Sequence, residues 1–133
     1  MSVESSRQAA ERYCEAWSRG DLAAVLAFYD DDFTLHYFGA STYAGDHQGK
    51  DAAVQALAAV SAEARRELLG IDEILASEDG AVVVVRERLT RIAESHDIRR
   101  LLRYRIADDR FTECWLYDES QALIDRLWGT PST

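Results

Sequence analysis

Apolar residues recur along the first part of the chain at three- and four-residue spacing. Ala10, Tyr13, Cys14 and Trp17 fall on one face of an amphipathic helix over residues 4–19, and Gly20 ends it, since glycine accepts the left-handed cap conformation. Asp21 offers an N-cap carboxylate to a second, short helix with the apolar stripe Leu22, Val25, Leu26 and Tyr29, so the two helices form a hairpin. Residues 33–38, rich in aromatics and preceded by Asp30, Asp31 and Asp32, read as a strand opening after a turn. Residues 39–49, with three glycines, read as a loop. Asp51 then sits near the start of a third helix in which Val54, Leu57, Ala58, Ser61 and Ala64 share one face, small enough to pack closely on a sheet.

Beyond Leu68 the period changes from that of helices to that of strands. Residues 69–77, 81–92, 97–107 and 111–117 read as four strands, with turns at Asp79-Gly80 and Asp108-Asp109 and a short loop at 93–96. Sequential strands joined this tightly form an antiparallel meander. Leu123, Ile124, Leu127 and Trp128 share a last helical face between a cap at Asp118 or Ser120 and the stop signal of Gly129 and Pro131. Helices first and sheet last predict an α+β fold, and 133 residues with 47% hydrophobic content predict one domain over 1–133 with its own core.

Charge narrows the partners. A net charge of −9 repels a nucleic-acid backbone and an anionic membrane surface, so neither is expected as a partner. Residues 1–7 contain no apolar secretory region, and no stretch reaches the roughly 18 consecutive apolar residues of a membrane span, which predicts a soluble, cytoplasmic protein. Cys14 and Cys114 lack the spacing of a zinc or redox pair and are expected as reduced core residues. No phosphate loop, metal-binding helix or nucleophile elbow occurs, so no cofactor, nucleotide or metal is expected.

Several phrases, in this order, carry a family likeness: Arg19-Gly20-Asp21-Leu22, Leu35-His36, Ala44-Gly45 followed by Gly49-Lys50-Asp51, and Tyr104-Arg105-Ile106-Ala107-Asp108. Phe111-Thr112-Glu113-Cys114-Trp115 follows, with Asp118, Gln121, Asp125 and Gly129 behind it. Over residues 4–129 the chain resembles the nuclear-transport-factor-2-like superfamily and its SnoaL-like members, which include polyketide cyclases, ketosteroid isomerases and limonene epoxide hydrolases. It departs from them at Asp108-Asp109-Arg110, where relatives carry Asp-Gly-Arg. The resemblance implies a cone in which the helical hairpin and third helix pack on a curved antiparallel sheet around one pocket. It also implies a choice of functions: a cofactor-independent acid–base enzyme of isomerase, cyclase, dehydratase or epoxide-hydrolase type on a small hydrophobic metabolite, a non-catalytic binder of such a molecule, or a dimeric interaction module.

Set against the isomerases, Tyr13 falls where those enzymes place the donor to the enolate oxygen; the plain alternative is packing against Trp17. The stretch matching their general base contains no carboxylate, leaving His36 or Tyr37 in that place, and their second acid aligns with Leu102. His36 titrates near neutrality and is the expected acid–base group, unless its ring lies on the outer face. Alternation on the last strand sends Thr112, Cys114, Leu116 and Asp118 toward the pocket and Phe111, Glu113, Trp115 and Tyr117 outward. Asp118 is then a second proton-transfer or orienting carboxylate, or else a helix cap. Trp17, Tyr37, Tyr43, Leu102, Tyr104 and Cys114 are expected to line the substrate site.

Glu87 shares a strand face with Val83, Val85 and Leu89 and is either a buried carboxylate with a raised pKa or, the preferred reading, a surface ion-pair partner. Arg99, Arg100, Arg103 and Arg105 read as a solvated or subunit-facing ladder. An outward stripe of Phe111, Trp115 and Tyr117 predicts a homodimer through the outer sheet face.

Overall fold

The computed structural model of the chain describes residues 2–129. Helices α1 (Val3–Ser18) and α2 (Leu22–Ala27) are followed by strands β1 (Tyr29–Tyr37) and β2 (Gly45–Gln48) and helix α3 (Lys50–Glu63). The meander of β3 (Arg65–Ser77), β4 (Gly80–Arg91), β5 (Glu94–Ala107) and β6 (Arg110–Asp118) then leads into α4 (Gln121–Leu127). The fold is α+β, as the hydrophobic periodicity predicts.

The caps explain where the helices begin. Ser2 and Ser5 bond each other's backbone N–H groups in a capping box at α1, and the Asp21 carboxylate accepts from the Ala24 N–H at 3.1 Å at α2. Gly20, at φ 72°, makes the reversal between them. Tyr29 lies beyond the short second helix and opens β1 instead of completing the helical stripe. The Ser120 hydroxyl caps α4 by accepting from the Leu123 N–H, so Asp118 is free for another partner. Pro131 of the stop signal lies outside the described residues.

The sheet runs β2-β1-β6-β5-β4-β3. The last four strands form the expected antiparallel meander, but β1 pairs with β6 in parallel, so the whole sheet is mixed. Chain order alone left the orientation of β1 open, because its partner follows some 70 residues later and no hairpin constrains it. The segment read as a loop contains β2, which pairs with residues 34–37 of β1 through backbone bonds; its sequence, Gly-Asp-His-Gln, carries no hydrophobic alternation. Asp108 and Asp109 both sit at positive φ, 52° and 62°, as a two-residue hairpin turn requires.

A bulge resets the phase of β6. Arg105 faces Glu113 across the ladder while Ile106 faces Phe111, so Thr112 is the extra residue. Phe111 consequently points inward, 0% exposed, against Tyr13, Phe28 and Tyr104, and the outward aromatic stripe is reduced to Trp115 and Tyr117. The core lies between the helices and the inner sheet face, around Phe33, Leu35, Val83, Val85, Leu116 and Trp128. The Trp128 indole N–H donates to the Val60 carbonyl at 2.9 Å and ties the C-terminal helix to α3.

Candidate functional site

Between the helical hairpin, α3 and the inner sheet face lies a cavity of about 350 Å³. Period-four spacing brings Tyr13 and Trp17 to it from α1, and Val54, Leu57, Ala58 and Ser61 from α3, so this face of α3 borders the cavity while Ala53, Ala56 and Val60 are buried in the core. Burial alternates along β5, which directs Leu102 and Tyr104 inward; Cys114 and Leu116 do the same on β6, and Phe33 and Leu35 on β1.

Most of this wall is apolar, and its polar groups form two sets. In the first, the Tyr13 hydroxyl lies 2.6 Å from that of Tyr29 and 2.8 Å from that of Tyr104. Three hydroxyl protons serve two hydrogen bonds, so the triad holds one donor in excess of its own needs. Burial pushes the pKa of all three phenols up, and each remains a neutral donor at physiological pH.

The second set is ionic. Glu87 lines the cavity with its side chain 3% exposed, and its Oε1 accepts from Arg100 Nη1 at 3.2 Å and Arg66 Nη2 at 3.4 Å. Burial works to raise its pKa, but the two guanidinium groups outweigh that and hold the carboxyl below its ordinary value. Glu87 is thus a buried, ionised carboxylate, not the surface partner expected. Arg100, fully buried, also donates to Asp118 through Nε at 2.6 Å and Nη2 at 3.3 Å.

Four predicted site residues lie away from the cavity. His36 occupies the outer face because Phe33, Leu35 and Tyr37 take the inner one. Its Nδ1 lies 2.6 Å from Asp46, its Nε2 2.5 Å from Glu113, and its ring stacks on Trp115 at 5.0 Å. Burial lowers its pKa, yet the hydrogen bonds and charges of the two carboxylates prevail and raise it. Tyr37 is buried outside the cavity lining with its hydroxyl unpartnered, and burial is the main cause of its raised pKa. The Tyr43 hydroxyl donates to Glu63 at 2.5 Å on the exposed rim of α3. Asp118, with a side chain 2% exposed, is committed to Arg100; burial raises its pKa against the pull of that arginine. Among the described residues, no group of three or more His, Cys, Asp or Glu is placed to hold a metal ion.

The model of the SnoaL-like domain family matches residues 10–114. The chain belongs to the SnoaL-like domain family. A protein of unknown function with a cystatin-like fold from Xanthomonas campestris is 20% identical over 98% of this chain and 100% of that one, with a TM-score of 0.86. An NTF2-like protein of unknown function from Burkholderia pseudomallei is 22% identical over 92% and 96%, at 0.78. TerC, co-crystallised with polyporic acid, is 15% identical over 90% and 95%, at 0.74. At these identities the likeness is one of fold. No curated protein matches the chain.

In this SnoaL-like chain the cavity thus gathers Tyr13, Trp17, Leu102, Tyr104 and Cys114 of the predicted residues. It adds Tyr29, Arg66 and Glu87, which sequence reasoning did not place there. A signal for Glu87 existed in its apolar neighbours Val83, Val85 and Leu89, and one for Arg100 in Ile98, Leu102 and Tyr104 on the same alternation. For both residues the alternation of the strand is a stronger guide to burial than their charge. Arg66 carries no such signal, since it is the second residue of β3, beside the end of a helix.

Proposed function

We propose that the cavity takes a small, largely apolar molecule bearing one oxygen acceptor and that the protein acts on it as a cofactor-independent acid–base enzyme of isomerase, cyclase or hydrolase type. The observation that carries this reading is the surplus hydroxyl proton of the Tyr13–Tyr29–Tyr104 triad on an apolar cavity that Glu87 also lines. The triad donates to a carbonyl or epoxide oxygen and stabilises negative charge as it develops there, an interaction that strengthens in the transition state. Glu87, ionised, is the proton acceptor, in the role the sequence reading assigned to His36.

One observation favours a second reading, that of a binding protein. The Glu87 carboxylate already accepts from Arg66 and Arg100, and the same arginines that keep it ionised weaken it as a base.

A panel of cyclic ketones, enones and epoxides, screened by ligand-observed NMR and by product formation, separates the two. Tyr13→Phe should weaken binding of any hit several-fold, by about the worth of one neutral hydrogen bond, and lower turnover further. Glu87→Gln should cut turnover by ~10²–10⁴ with little change in binding if the protein is an enzyme. A hit that binds through Tyr13 and is never converted would establish the binding reading, and binding indifferent to Tyr13→Phe would refute both.

A further inference from the structure

The structure assigns a second binding site on the outer sheet face, where Arg103, Arg105 and Trp115 border a cleft that takes a small organic anion: an oxyanion head on an apolar body. The cleft encloses about 320 Å³ and runs from Leu75, Ala76 and Val82 to the two arginines. It lies on the face opposite the SnoaL-like cavity and does not depend on what that cavity does.

The decisive contrast is among the arginines. Every other arginine among the described residues pairs with a carboxylate, at 2.6 to 3.9 Å. Arg103 and Arg105 pair with none among the described residues, in a chain whose net charge is −9. The carboxylate across the ladder from Arg105 is Glu113, and it is engaged by His36. Asp79, at the cleft edge, accepts from the Ser77 hydroxyl at 3.2 Å.

Both guanidinium groups lie over one indole, 4.8 Å and 5.7 Å from the Trp115 ring centre. The opposite side of Trp115 is occupied by the His36 ring, held in turn by Asp46 and Glu113, so the platform is fixed from behind. Stacking orients the two forks and reduces the entropy lost when they bind, while leaving their N–H groups unclaimed. Two like charges on one strand face, two residues apart, repel each other, and an anion between them converts that cost into paired, charge-assisted hydrogen bonds. Leu75, Ala76 and Val82 supply the surface for an apolar body, which separates this site from one for a bare inorganic ion.

The test is an amide and indole NMR titration of the full chain with benzoate and phenyl phosphate, beside benzyl alcohol and inorganic phosphate. Saturable shifts centred on Arg103, Arg105 and the Trp115 indole are expected with the first two probes, and which binds tighter reports the preferred head group. Benzyl alcohol and inorganic phosphate should bind roughly tenfold or more weakly, as should the probes to the folded double variant Arg103→Gln/Arg105→Gln. Arg99→Gln, on the same strand but paired with Glu119, should leave binding unchanged. Equal binding of the alcohol, unchanged affinity in the double variant, or shifts centred on Tyr13 and Trp17 would overturn the site. So would a dimer in sedimentation that buries Arg103 and Arg105, binds no probe and dissociates in the double variant, since the occupant would then be a second copy of the chain.

Discussion

Two clusters in this molecule join cationic side chains to two carboxylates, one on each face of the sheet. On the outer face His36 bridges Asp46 and Glu113; on the inner face Arg100 bridges Glu87 and Asp118, with Arg66 closing on Glu87. Asp46 is 63% exposed, so water competes for every charge it meets. Arg100, Glu87 and Asp118 are 0%, 3% and 2% exposed, so water competes little for their charges. The lesson is that similar pairs of ions do different work. Outside, the pairing is a modest tie between strands that pH can loosen; inside, each partner is obligatory, because losing one leaves a charge buried without compensation.

The largest effect should come from the inner cluster. Arg100→Ala leaves Asp118 buried without its cation and Glu87 with Arg66 alone, and a loss of roughly 3–5 kcal/mol in urea unfolding is expected. A change as small as that of a surface substitution would mean that water enters the cluster and would remove the distinction between the faces.

An intermediate, pH-dependent effect is expected from His36→Gln. The folded-state pKa of His36 lies above its ordinary value of 6.5, so the protonated ring is the form the fold prefers. Its contribution is therefore fully present below the unfolded pKa and disappears as pH rises through the folded one. Wild type should exceed the variant in unfolding midpoint at about pH 5, and the gap should close by about pH 9. A gap independent of pH would show that His36 acts through packing on Trp115 alone.

The smallest effect belongs to Arg88→Ala. Arg88 meets Asp97 at 2.7 and 3.1 Å and Glu67 at 3.7 Å, good geometry on an exposed surface. Its unfolding midpoint should stay within error of wild type at moderate salt, since screening and side-chain entropy offset such a pair. A shift comparable to that of Arg100→Ala would break the comparison from the other side.

Order and type of the elements were legible from periodicity, because a buried face must repeat at 3.6 residues in a helix and at two in a strand. Leu102 and Tyr104 were placed correctly for that reason, their strand keeping its phase throughout. Phe111 was not, because a bulge is decided by the ladder it must fit and leaves no mark on the hydrophobic pattern. β2 was invisible because its stability lies in backbone bonds to β1, which its polar side chains do not advertise.

The site divides in the same way. The sequence by itself determined that Tyr13 and Trp17 face inward from one helix, as local spacing suffices to align them. Only the tertiary structure decided that Tyr13 meets Tyr29 and Tyr104 and that His36 lies outside. It alone decided that Glu87, Arg100 and Asp118 are buried together. Those outcomes depend on which strand lies beside which and on the phase each strand takes, and a charge is tolerated in a core only when its partner arrives from another strand. The sequence names the charges, and the register of the sheet decides which of them meet.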